Sequence, residues 1–299
     1  MYKTLLGAAC AALISTSVLA VSQKADNTTP IKAQSQTASQ QANALFDDIF
    51  DRQVARNPVR QTYLGIKTDY DKWNDLSEEA QARELDHARA DLAMLRSLDT
   101  STLDASTLVS YQLLEQQLTH RIADFKWRHH SYPVNQMFGE HAGIPAFLIN
   151  QHSIDNLAEA EAYIARLDAV EERLDQVIEQ LRIREEKGIV APDFVLPHVL
   201  RDSRNILKGA PFDGGEPSTL MADFSGKIAS LDLSDTTRTK LLREAELSLL
   251  NSLQPGYQKL ITYLEGLQDK ATADAGVWKL PQGEAYYRNR LQRITTTDL

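Results

Sequence analysis

One cysteine, Cys10, is all the thiol chemistry in 299 residues, and it lies inside the first apolar run. If that run is removed on export, the mature chain has no thiol, which excludes disulfides, thiolate metal sites and a cysteine nucleophile. A thiol-free chain suits an oxidising compartment. Turn formers are also scarce, with 13 glycines and 10 prolines, and this favours long helices over a turn-rich β protein. No segment alternates as a half-buried strand does, and no internal repeat of fixed period can be aligned. Positive charge is in deficit: 32 Lys and Arg stand against 41 Asp and Glu, a formal net charge of −9. No block of clustered basic residues interrupts the acidity, so nucleic acid is excluded as a partner. The surplus of carboxylates reads as a solubility feature.

Catalytic signatures are missing as well. Zinc peptidases on helical scaffolds use H-E-x-x-H, because histidines four apart share a helix face and the glutamate can activate the metal-bound water. The seven histidines, His87, His120, His129, His130, His141, His152 and His198, never form that spacing. His129 and His130 are adjacent, so their rings diverge on a helix. Glu140 and His141 could join His130 or His152 in a site, but three ligands and their supporting partners would have to converge. Asp69, Asp71 and Asp75 resemble the start of a calcium loop, yet Trp73 replaces a ligand and the sharp-turn glycine is absent, which favours a solvated acidic turn. There is no G-x-S-x-G, no S-x-x-K and no phosphate-binding glycine loop; Gly214 and Gly215 mark a turn. Glu171, Glu172, Glu185 and Glu186 flank a leucine seam as solvated helix faces. The residues therefore nominate no catalytic, cofactor-binding or metal-ligating position.

What the sequence does contain begins with an export signal. Lys3 precedes an apolar run from Leu5 to Ala20, short of the roughly 20 strongly apolar residues of a membrane span and ending in Val18-Leu19-Ala20, small where signal peptidase needs it. Residues 1–20 read as a signal peptide cleaved after Ala20, giving a periplasmic or secreted protein; loss of Lys3 takes the charge from −9 to −10. A competing reading lipidates Cys10 through Gly7-Ala8-Ala9-Cys10, with little apolar sequence ahead of it. Residues 21–40, rich in Ser, Thr, Gln, Ala and Asn, read as a disordered linker.

From residue 41 the pattern is helical. Phe46, Ile49, Phe50 and Val54 predict a helix ending near Asn57-Pro58. Ser77 caps a second on Leu85, Leu92 and Leu95, and a third spans about Ala105 to Trp127. Residues 131–153, with Pro133, Gly139, Gly143 and Pro145 among apolar residues, read as one long irregular loop. Leu167, Val170, Leu174, Val177 and Leu181 predict one long helix over Leu157 to Lys187, stopped by Gly188. Pro192 is expected in the first turn of the next helix, with Pro197 early in it or at a kink. Apolar positions resume from Leu220 to Ile228 and from Leu241 to Leu267.

Several stretches together resemble the bacterial domain-of-unknown-function 885 family. They are Asn57-Pro58, Tyr63-Leu64-Gly65-Ile66, Asp69 through Ser77, Asn135 through Gly139, Ala162 through Leu167, Gly188 through Pro192, Trp278 through Tyr287, and Thr295 through Leu299, in the family's order. The resemblance covers about Asn57 to Leu299. It implies an all-α, elongated multi-helix bundle forming the N-terminal half of a helical fold similar to zinc peptidases of the angiotensin-converting-enzyme and oligopeptidase type. In that family the H-E-x-x-H helix lies beyond the point corresponding to Leu299, so no zinc ligand transfers to a residue here, and zinc is implied only for the full-length family. The function so implied is the scaffold, one wall of a substrate channel, of an exported peptidase-like protein. A peptide or small-molecule substrate would bind only after completion by the other half. The alternative is a free-standing periplasmic module holding a peptide or small ligand in residues 131–153. Trp278, Leu280, Tyr286, Tyr287 and Leu291 look like anchors without a partner, so Ala271 to Leu299 is expected to be loosely docked and the chain truncated.

Overall fold

The computed structural model describes residues 37–297. The expected signal peptide and cleavage point, Cys10 and the first part of the expected linker lie outside the described residues. From Thr37 the chain is already ordered. Thr37 Oγ1 accepts from the Gln40 amide while the Gln40 side chain accepts from the Thr37 amide, a reciprocal cap that starts α1 (Ala38–Ala55) inside the stretch read as linker. The remaining helices are α2 (Pro58–Tyr63), α3 (Glu78–Arg96), α4 (Ala105–Asp124), α5 (Glu140–Asn150), α6 (Leu157–Asp168), α7 (Val170–Glu186), α8 (Val195–Ile206), α9 (Thr219–Ala229), α10 (Asp235–Ser248), α11 (Gln254–Gln268) and α12 (Gly283–Thr295). Among the described residues there is no β-sheet, only isolated bridges joining Val134 to Gly139 and Ala210 to Pro217. No described helix is long and apolar enough to cross a membrane.

Side-chain caps set most of the helix starts. Asn57, Ser77, Asp104, Asn156, Ser218 and Ser234 each accept a backbone N–H from the first turn of the helix that follows, satisfying donors the helix itself leaves unpaired. Apolar residues then gather into two cores. A smaller one joins Ala88, Leu92 and Leu95 of α3 to Tyr111 and Leu118 of α4, with Phe46 of α1 against it. The larger one runs from α5 to α11 and includes Tyr163, Leu167, Leu174, Val177, Leu196, Val199, Phe224, Leu249, Tyr257, Leu260 and Leu264.

The leucine seam is buried as its spacing predicts, but the helix carrying it is interrupted. At Ala169 the backbone leaves helical geometry, and the Ser252 hydroxyl enters the gap, donating to the Asp168 carbonyl at 2.8 Å and accepting from the Glu171 amide at 3.0 Å. Ser252 is delivered by a π-helical turn, Leu249–Leu253, between α10 and α11. Pro255 follows that turn, and its missing N–H removes an α-helical bond there. Gly256 completes the joint: a Cβ on it would lie 3.0 Å from the Glu171 Cα, so a side chain here would crowd the approach of α11 to α7.

The expected irregular loop over 131–153 is corrected in its second half, which forms α5. Pro145 hid it, since proline inside a helix leaves the carbonyl four residues earlier unpaired. That carbonyl belongs to His141, and the buried Tyr257 hydroxyl donates to it at 2.7 Å. Pro192 precedes α8 rather than opening it, and Pro197 lies in its first turn.

Candidate functional site

The three histidines weighed as metal ligands go to separate places. His152 is fully buried, with Nδ1 2.9 Å from Arg166 Nη1 and Nε2 3.1 Å from the Glu159 carbonyl. Arginine only donates and a carbonyl only accepts, so the ring is the neutral Nε2–H tautomer. Burial first, then the nearby positive charges of Arg166, Lys227 and Lys67, outweigh the Glu159 bond and bring its pKa down to about 3. His141 is buried behind Gly139, burial lowers its pKa, and its Nδ1 has no hydrogen-bond partner. His130 packs on Trp127 and Tyr286 and bonds the Pro281 carbonyl through Nε2. Among the described residues no group of three His, Cys, Asp or Glu side chains is placed to hold a metal. The acidic turn is internally consumed: Asp69 accepts from Lys72 and Gln61, and Asp75 accepts from the Ser77 amide and Arg83.

Residues 131–139 are held rather than open. Arg184 donates to the carbonyls of Ser131 and Arg128, and the void bordered by Tyr132, Pro133 and Val134 has about 10 Å³, room for roughly one water. The loop does present Met137 and Phe138 to solvent, 71% and 70% exposed.

Two further arginines tie the Tyr63–Ser77 connection to the larger core. Arg166 is 0% exposed and donates to Lys72 O, His152 Nδ1 and Thr62 Oγ1. Its guanidinium sits 4.8 Å from the Phe147 ring centre, 5.1 Å from Tyr70 and 5.5 Å from Trp73. No carboxylate is hydrogen-bonded to the buried charge; it sits in an aromatic and polar cage, with Asp71 adding favourable charge from farther off. Arg173 donates to Glu140 and to the Asn74 carbonyl. Glu78, at the start of α3, accepts from Arg128, His129 and Gln180. Burial raises the Glu78 pKa, and these three bonds overcome it to leave about 2. All of these groups bond within the protein, and the arrangement is a clamp between the two cores.

The chemistry left open lies elsewhere, in a cleft of about 420 Å³ where α1, α2, α3 and α4 meet. Its walls carry Arg56, Arg60, Arg83 and Arg121 with His87, against the carboxylates of Asp75 and Glu84. Glu84 bridges two of them, accepting from Arg56 Nε at 2.8 Å and Arg121 Nη2 at 2.9 Å. The fold makes this basic cluster; along the sequence its members are spread over four segments and mixed with acids. The spacing of Arg56 with Arg60 and of Arg83 with His87, four residues apart, was the available signal.

C-terminal to these features, α12 docks through Arg293 and Asn289, both donating to Asp124 of α4. The predicted aromatic anchors divide. Leu280 is buried and Tyr286 packs on Trp127 and His130, whereas Trp278 is 75% exposed and Tyr287 51%.

These features define an all-α protein of two helical cores, clamped by buried arginines and bearing a basic cleft. Residues 58–299 match the family described as bacterial protein of unknown function (DUF885), and the chain belongs to that family. Its fold is similar to the crystal structure of "the putative lipoprotein from Colwellia psychrerythraea", with a TM-score of 0.74 at 18% sequence identity, over 88% of this chain and 47% of that one. This chain therefore spans about half the length of that relative. No curated protein matches it in sequence.

Proposed function

We propose that the chain is the N-terminal, scaffold half of an exported zinc-peptidase-like protein, forming one wall of its substrate channel and catalytically incomplete alone. The observation that carries this reading is the proportion of the fold match: most of this chain corresponds to less than half of a larger relative. Met137, Phe138, Trp278, Tyr287 and Ile294, all exposed, support it as apolar contacts for further protein. Because H-E-x-x-H does not occur in this sequence, the proposal puts metal binding and hydrolysis in the other half. Export follows from the Leu5–Ala20 run, and the lipoprotein description of the relative keeps acylation of Cys10 as the competing route. Mass spectrometry of the exported protein separates them, with Val21 expected as the first residue and an acylated Cys10 as the contrary result.

The functional test supplies the rest of the family fold. The chain alone should retain no stoichiometric zinc after dialysis and show no chelator-sensitive peptide hydrolysis. Joined to the downstream family sequence, it should gain both. Hydrolysis by this chain alone would overturn the proposal.

A further inference from the structure

The cleft at the junction of α1, α2, α3 and α4 combines three properties that ordinary surface ion pairs lack. First, its charge does not cancel. Four guanidinium groups face two carboxylates, leaving two positive charges in a protein whose formal net charge is −9. Both carboxylates stay ionised at neutral pH: burial raises Glu84, but Arg56 and Arg121 bring it below its ordinary value, and the Ser77 amide lowers Asp75.

Second, donors are left over. Arg56 uses Nε on Glu84, while its Nη2 is buried with no hydrogen-bond partner. A nitrogen so enclosed is costly to leave unpaired, and a turn of the Arg56 side chain toward the cleft would let a ligand accept from it. Arg60 has its guanidinium 5.1 Å from the Phe50 ring centre, a contact that uses the face of the group and not an acceptor. Third, the cluster is pre-organised. Glu84 fixes Arg56 and Arg121 relative to each other, Asp75 holds Arg83, and the Asn57 and Asn74 side chains cap the backbone between them. Guanidinium forks held in place match the oxygens of phosphate or carboxylate in paired hydrogen bonds.

We propose that this arginine cleft is a binding site for a compact multivalent oxyanion, a phosphoryl group or a dicarboxylate, held by Arg56, Arg60 and Arg83 with Arg121 behind them.

Calorimetric titration of the purified chain with inorganic phosphate, and separately with succinate, tests it. Saturable binding at one site is expected for at least one of the two, weakening as salt rises; the tighter probe assigns the phosphoryl or the dicarboxylate source. Arg60→Gln and Arg83→Gln, at exposed side chains that leave the fold intact by circular dichroism, should each weaken it by about tenfold or more, the cost of one charge-assisted contact. Arg204→Gln, which removes a guanidinium paired with Glu265 outside the cleft, should leave it unchanged. Absence of saturable binding for both probes, or equal weakening by Arg204→Gln, would overturn the assignment and leave the cleft a solvated ion-pair network.

Discussion

Protonating His152 should destabilise this protein from within its clamp. The ring is fully buried, its Nδ1 faces an Arg166 donor and its Nε2–H faces the Glu159 carbonyl. A proton on Nδ1 would point at a guanidinium N–H and turn an attraction into a repulsion. Lys67 and Lys227 add positive charge nearby, while Tyr70 and Tyr163 supply only ring contacts. The folded-state pKa is lowered from 6.5 to about 3, so the stabilisation is complete above pH 6.5 and is lost as pH falls toward 3. Each pH unit below 6.5 costs about 1.4 kcal/mol. By pH 5 His152 alone should have removed ~2 kcal/mol, a sizeable part of the roughly 5–15 kcal/mol that holds a domain folded. Urea denaturation followed by circular dichroism from pH 8 to 4, on the wild type and on His152→Gln, isolates this contribution because His129 and His141 titrate equally in both. The wild type should lose stability more steeply, by ~2 kcal/mol between pH 6.5 and 5. Parallel curves would refute the tautomer and the clamp built on it.

Three other expectations follow from the same contacts. Glu78 has a folded pKa of about 2 against 4.5 unfolded, so its contribution is present above pH 4.5 and lost as pH falls through 2. Glu78→Gln should cost ~1–2 kcal/mol at pH 7 after discounting for partial exposure, and the difference from wild type should shrink steadily as urea denaturation is carried from pH 4.5 toward pH 2. Gly256→Ala would press a methyl on the Glu171 backbone and should lower stability by ~1–3 kcal/mol, read as a reduced melting temperature. Arg293→Ala removes the ion pair with Asp124 and should speed hydrogen exchange in α12 while leaving α7 protected.

Much of the helical order was legible because burial imposes a period. The stripes Leu85, Leu92, Leu95 and Leu167, Val170, Leu174, Val177, Leu181 are buried where spacing put them. What spacing could not show depends on distant partners. The break at Ala169 needs Ser252, and helix α5 tolerates Pro145 because Tyr257, far along the chain, takes the stranded carbonyl. The helical start at Ala38 was masked by the polar composition of a segment whose Thr37 and Gln40 make a cap. Arg166 and His152 gave no sign of meeting, since nothing local distinguishes a buried arginine from a solvated one. The basic cleft was equally hidden, because Arg56, Arg60, Arg83 and Arg121 become a cluster only when the first helices fold together.

The claim that this chain is the scaffold half of a larger peptidase-like protein meets its most direct test in zinc content and peptide hydrolysis, measured on the chain alone and joined to the downstream half of the family fold. The chain alone should retain no zinc and show no hydrolysis, and the joined protein should hold one zinc tightly with chelator-sensitive hydrolysis. Chelator-sensitive hydrolysis by the chain alone, or a joined protein that folds and binds no zinc, would contradict it.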